Sequence, residues 1–208
     1  MKQTDIETFF SRLATLNPNP KCELDYTTPY TLMVAIILSA QATDKGVNKA
    51  TPALFAIADT PEKMLALGEE GLKKYIKTIG LFNNKAKNII AMSNELITNF
   101  GGELPRDRSK LESLSGVGRK SANVFLNVIY NEPFIAVDTH VFRVSNRTEL
   151  ATGKTPLEVE NKLEKVVPNK YKKGASHWLV LHGRYTCTAK NPKCATCPVA
   201  DLCPHKLT

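Results

Sequence analysis

The 208-residue sequence has no long hydrophobic run. Its longest apolar stretch ends at Leu38 and falls far short of the roughly 20 residues a membrane-spanning helix needs. Met1 to Phe10 mixes charged and apolar residues, without the basic start and apolar stretch of an export signal. A cytoplasmic location, nucleoid-associated in a bacterium, is therefore expected. Sustained strand-type alternation is scarce, and neither a solenoid-length repeat nor a low-complexity tract appears. Before Cys187 the only cysteine is Cys22, which reads as an inert thiol; the other four crowd into the last stretch. That distribution does not suit a disulfide framework, because such frameworks belong to small secreted domains. In a reducing compartment, bunched thiols more often hold a metal.

What is present is an ordinary globular composition with a marked charge. At 42% hydrophobic residues the chain can bury one large core or two modest ones. A formal charge of +8 favours a polyanionic partner, since lysines and arginines that meet phosphates release condensed counterions. Charge alone is equally compatible with a merely soluble basic protein.

Apolar residues recur at helical spacing almost everywhere, so an all-α fold is expected. Ile6, Phe9, Phe10 and Leu13 mark a first helix, Tyr30 to Leu38 a buried one, and Val47, Leu54 and Phe55 a third. Met64 to Leu72 and Leu72 to Ile79 read as short helices. Longer ones follow at Lys85 to Phe100, Arg119 to Tyr130, Asp138 to Thr148, Pro156 to Val167 and Ala175 to Tyr185, with a short one at Lys110 to Ser115. Asn17 to Pro20 and Gly101 to Asp107 are loosely built. Two segments, Ile76 to Ala86 and Leu111 to Ala122, share one pattern: a short helix, a glycine turn, then a helix opening with a lysine.

In the second of these, Gly116-Val117-Gly118-Arg119-Lys120 lets the backbone turn tightly and present free amides at an electropositive helix start, a seat for a DNA phosphate. As a bare pattern, Gly-x-Gly is also an ordinary turn. Ala122, Phe125, Leu126 and Ile129 form the apolar face of the following helix and leave Lys120 on its first turn. The helix dipole and Arg119 set that lysine in a positive field. On spacing alone, Lys120 reads as a solvated lysine that meets phosphate. Asp138 stands at the next helix start, where an aspartate caps; a carboxylate there could also stabilise a sugar cation or move protons.

The pattern Cys187-x6-Cys194-x2-Cys197-x5-Cys203 has one close pair and two wider gaps, which fits the paired knuckles of structural zinc poorly. Metal binding follows from the spacing; the metal's identity does not. Lys190 and Lys193 lie inside the loop, placing positive charge where it could meet the DNA backbone. His205 reads as exposed, with four sulfurs already closing the site.

Leu114-Ser-Gly-Val-Gly-Arg-Lys-Ser-Ala-Asn-Val, then Ile135-Ala-Val-Asp-Thr-His-Val-Phe-Arg-Val and the four cysteines, resemble the endonuclease III family of the helix-hairpin-helix DNA glycosylases. The likeness covers essentially the whole chain, including Leu38 to Asp44, Gly80 to Ala86 and His177 to Cys187. It implies two helical domains, residues 22–132 with the hairpin and residues 1–21 plus 133–208 with an iron–sulfur loop, and a DNA cleft between them. It implies a [4Fe–4S] cluster on Cys187, Cys194, Cys197 and Cys203, with Lys120 as nucleophile and Asp138 as assisting carboxylate. The activity implied is that of a bifunctional glycosylase and abasic-site lyase, a monomer acting on duplex DNA with oxidised pyrimidines or abasic sites. Gln41 and Leu81 would fill the gap left by an extruded base, although by pattern alone they read as a helix-end amide and a core leucine. Ser115 departs from the proline common at its position, and a looser turn is expected there. An adenine mismatch glycosylase would share the hairpin, the aspartate and the cysteines but would call for a further carboxy-terminal domain and no hairpin lysine. A non-catalytic DNA-binding hairpin would give Asp138 no function, and a metal-dependent regulator would need a recognition helix that the rest of the chain does not offer.

Overall fold

Tyr30 to Leu38 are buried in an unbroken row, so the helix that carries them has no solvent face and must lie inside a bundle. In the computed structural model, which describes residues 1–205, this is α2 (Pro29–Ser39). Pro29 opens it, and Thr28 and Thr31 close a reciprocal capping box that satisfies amides no helix can satisfy internally. Around it one compact unit, Glu23–Tyr130, is built from α3 (Asp44–Phe55), α4 (Pro61–Ile76), α5 (Phe82–Phe100), α6 (Arg108–Glu112) and α7 (Arg119–Tyr130). Leu32, Met33, Leu54, Met64, Leu72, Ile89, Met92 and Phe125 fill its core. Each such side chain contributes about 1.5–3 kcal/mol when fully buried.

The second unit joins Met1–Cys22 to the chain from Asn131 onward. It contains α1 (Gln3–Leu16), α8 (Thr139–Arg147), α9 (Pro156–Val166), α10 (Asn169–Tyr185) and two 3-10 turns, Cys194–Thr196 and Ala200–Leu202. Phe9 and Phe10 of α1 pack with Ile135, Val141, Val144, Leu163, Trp178 and Leu179. Trp178 also donates from Nε1 to Asn17 O at 2.8 Å, so the amino-terminal helix is part of this core. Residues 206–208, which the expected second domain includes, lie outside the described residues. Among the described residues there is no strand, and the fold is all-α.

Two helix expectations need correction. The break placed near Leu72 is at Gly68, whose backbone (φ 72°, ψ 169°) is closed to most side chains and kinks α4 there. Helix α10 begins at Asn169, well before Ala175: its first turns are polar and carry little periodicity, and Gly174 sits where a Cβ would meet the Trp178 ring at 2.7 Å.

Candidate active site

The hairpin between α6 and α7 is built from alternating buried and open positions. Leu114 and Val117 are buried, and the Val117 amide donates to Leu114 O at 3.0 Å. Gly116 has φ 80°, and a Cβ there would strike Asn88 at 2.9 Å, so the fold itself requires that glycine. Gly118 differs: nothing lies within 4 Å of where its Cβ would be. Neither packing nor a left-handed backbone requires this glycine, and its bareness leaves the backbone open to a group from outside. Lys120, on the first turn of α7, is exposed beside it, and Arg119 is half-buried.

The looser turn expected from Ser115 is not what the structure has. The Ser115 amide donates to Glu95 Oε2 at 2.7 Å and its hydroxyl to Glu95 Oε1 at 2.6 Å. A carboxylate from α5 thus holds the turn by two charge-assisted bonds, the first of which a proline could not make.

Gln41 and Leu81 come together within the same unit. Both are exposed, Leu81 to 57%, which corrects the reading of it as a core leucine. Both also have left-handed backbones, with φ 54° and 59°, each costing on the order of 1–3 kcal/mol. A Cβ on Gly80 would lie 4.0 Å from Gln41 O, so the two loops pass side by side. Strain and apolar exposure at one place mark a surface shaped for something other than stability.

In the other unit Asp138 caps α8. Its Oδ1 alone accepts both the His140 and Val141 amides, each at 2.8 Å, leaving Oδ2 outside the cap. The half-buried carboxylate follows the buried segment Ile135–Val137, where the Ala136 amide donates to Ser176 Oγ at 2.8 Å.

The four carboxy-terminal cysteines line one cavity, together with Arg147, Thr148, His182, Thr186 and Val199 among others. No three His, Cys, Asp or Glu side chains among the described residues converge as a single ion requires. The four thiolates around this one cavity are the donor set an iron–sulfur cluster takes. Burial first, then the charges of Cys187, Cys203 and Cys194, push the Cys197 thiol up, and a cationic core among the four sulfurs would relieve that repulsion. Buried His182, its pKa lowered to about 4 by burial, sits 3.7 Å through Nε2 from Cys197 Sγ. Lys190, Lys193 and His205 are exposed.

The residues that hold this loop were missed from sequence. Arg147 donates to Thr188 O at 2.7 Å and Ala189 O at 2.8 Å, and Arg143 to Cys187 O at 3.1 Å and Gly183 O at 2.7 Å. Arg12 of α1 donates to Pro198 O at 3.0 Å and grips Asp201 with both terminal nitrogens. The spacing of Arg143 and Arg147, one helical turn apart, was the available signal.

Residues 34–169 match the HhH-GPD superfamily base excision DNA repair protein family, which sets the class. Residues 187–203 match the iron–sulfur binding domain of endonuclease III. Endonuclease III of Haemophilus influenzae is 56% identical, with 99% of this chain and 98% of the relative covered. That of Escherichia coli K12 is 55% identical, over 94% and 93%. A trapped endonuclease III–DNA covalent intermediate, an estranged-adenine complex, superposes with a TM-score of 0.93 at 41% identity, covering 99% of this chain and 97% of that one. The chain belongs to the endonuclease III family, a base excision repair enzyme whose cofactor is a [4Fe–4S] cluster. No described helix is long and apolar enough to cross a membrane.

Proposed function

We propose that this protein excises oxidised pyrimidines from duplex DNA and nicks the resulting abasic site, as a monomer, with Lys120 as nucleophile. The observation that carries this is an exposed lysine on the first turn of α7, beside a glycine whose surroundings are open. Amides of Gly116 and Gly118 would seat a phosphate, while the Val117 amide is spent on Leu114 O inside the turn, and such a seat places the backbone without reading a base. The target nucleotide must leave the stack before its glycosidic carbon can be reached, and Gln41 and Leu81 would occupy the gap, one polar toward the orphaned base and one apolar against the stack.

The Lys120 amine then attacks the anomeric carbon as the base departs with the bonding electrons. Asp138, through the oxygen its cap leaves unused, offsets the developing positive charge and moves protons. The sugar ring opens to a protonated imine. Loss of the proton from the adjacent carbon expels the 3′ phosphate, and hydrolysis of the imine returns the lysine. Cys187, Cys194, Cys197 and Cys203 would hold the cluster, whose binding energy orders the loop bearing Lys190 and Lys193. Every residue assigned to either step lies on one chain, so the assigned chemistry calls on no second copy. Borohydride reduction during reaction with an abasic duplex tests the assignment, since only an imine is reduced to a stable adduct.

A further inference from the structure

The pattern shared by Ile76–Ala86 and Leu111–Ala122 gives each hairpin a lysine near the start of its second helix, and the two lysines have opposite environments. Lys120 is exposed; Lys85 is 5% exposed, and its burial lowers its pKa. A buried lysine is expensive unless it is paired, so its partner is informative. The Lys85 ammonium donates to Leu38 O at 2.9 Å, across from α5 to the last turn of α2.

That turn has four carbonyls without helical partners. Ile36 O accepts from Ser39 Oγ at 2.8 Å, Ile37 O from the Ala40 amide at 3.4 Å and Ser39 O from the Ala42 amide at 3.0 Å. These three bonds are local. Leu38 O is served from another helix, by Lys85. No glycine ends α2; the left-handed residue just beyond it is Gln41. At its other end Lys85 donates its own amide to Leu81 O at 3.1 Å, closing the first turn of α5 behind the left-handed Leu81. One residue therefore bonds directly to Leu81 and to a carbonyl three residues before Gln41.

We propose that Lys85 is a positioning residue for nucleotide extrusion, a buried brace that holds the Gln41 and Leu81 loops at one separation so that both enter the duplex together. This rests on the assignment of Gln41 and Leu81 as the residues that fill the gap. Lys85 never meets DNA. It acts by keeping two strained backbones in register, and misplacing reacting groups by about 1 Å costs on the order of 100-fold in rate.

The test uses the full-length, cluster-loaded protein and a duplex with a non-cleavable abasic analogue opposite 2-aminopurine, whose fluorescence rises when the base is estranged. Lys85→Met keeps the stem and removes the donor. The expected variant melts cooperatively and binds undamaged duplex as the parent does, but loses the fluorescence rise and excises thymine glycol roughly 10- to 100-fold more slowly. Adding Lys85→Met to Gln41→Ala/Leu81→Ala should cost nothing further, and Lys85→Arg should recover part of the signal. If Lys85→Met does not fold, Lys85→Gln, too short to reach Leu38 O, gives the same comparison. A full rise in Lys85→Met while Gln41→Ala/Leu81→Ala has lost it overturns the brace and leaves the insertion residues standing. A full rise in Gln41→Ala/Leu81→Ala overturns the insertion assignment and the brace with it.

Discussion

Ser115 gives both of its donors to Glu95, the amide to one carboxylate oxygen at 2.7 Å and the hydroxyl to the other at 2.6 Å. The hairpin is thereby tied to α5 at the turn that precedes its open glycine. Glu95→Ala removes both bonds and leaves the Ser115 amide without its acceptor, which should lower stability by about 1–3 kcal/mol. Because the hairpin amides then lose their fixed orientation, affinity for undamaged duplex should fall as well. Denaturant titration and fluorescence anisotropy check the two effects, and unchanged affinity would show that the turn keeps its shape without Glu95.

Asp138 uses one oxygen as a helix cap and leaves the other outside it. Asparagine caps about as well as aspartate, so Asp138→Asn should melt as the parent does. Excision of thymine glycol should fall by roughly 10²–10⁴, the usual cost of a lost acid–base group. Nicking of a preformed abasic site should suffer less, since no base has to leave. Excision at the parental rate would reduce Asp138 to a cap.

Arg147 and the four cysteines should separate cluster retention from catalysis. Anaerobically purified protein should contain iron and sulfide and be brown, and alanine at any of Cys187, Cys194, Cys197 or Cys203 should cost folding. Arg147→Ala removes donors to Thr188 O and Ala189 O, and should bleach faster under a chelator while folding normally. Stoichiometric zinc without iron would contradict the cluster.

Lys85 should leave a mark on the pH dependence of stability. Its proton is held more weakly in the folded chain than at the unfolded value of 10.5, so between the folded and unfolded pKa values the folded state binds fewer protons. Stability therefore rises with pH as that window is crossed, and Lys85→Met should lack this contribution. Parallel denaturation curves of parent and variant across the alkaline range measure it; an identical slope would mean the amine titrates alike in both states.

The helices were legible because their apolar faces repeat at helical spacing, and the Asp138 and Lys120 positions because each opens a helix after a distinct local signal. Leu81 was not: a leucine within an apolar pattern reads as core, and only its left-handed backbone and 57% exposure set it apart. The partners of Glu95, Lys85 and Arg12 were invisible for a different reason. Each acts on a residue distant in sequence, at separations of 20, 47 and 189 positions for Ser115, Leu38 and Asp201, and periodicity carries no long-range pairing.

Whether Lys120 is the nucleophile is decided by one reaction. Parent and Lys120→Gln are each mixed with an abasic duplex in the presence of borohydride, and covalent protein–DNA adducts are resolved on a denaturing gel. The parent should give an adduct that maps by peptide mass to the segment containing Lys120, while Lys120→Gln should give none and no nicking, yet still bind the duplex through the intact hairpin amides. An undiminished adduct and undiminished nicking by Lys120→Gln would remove Lys120 from the nucleophile's role.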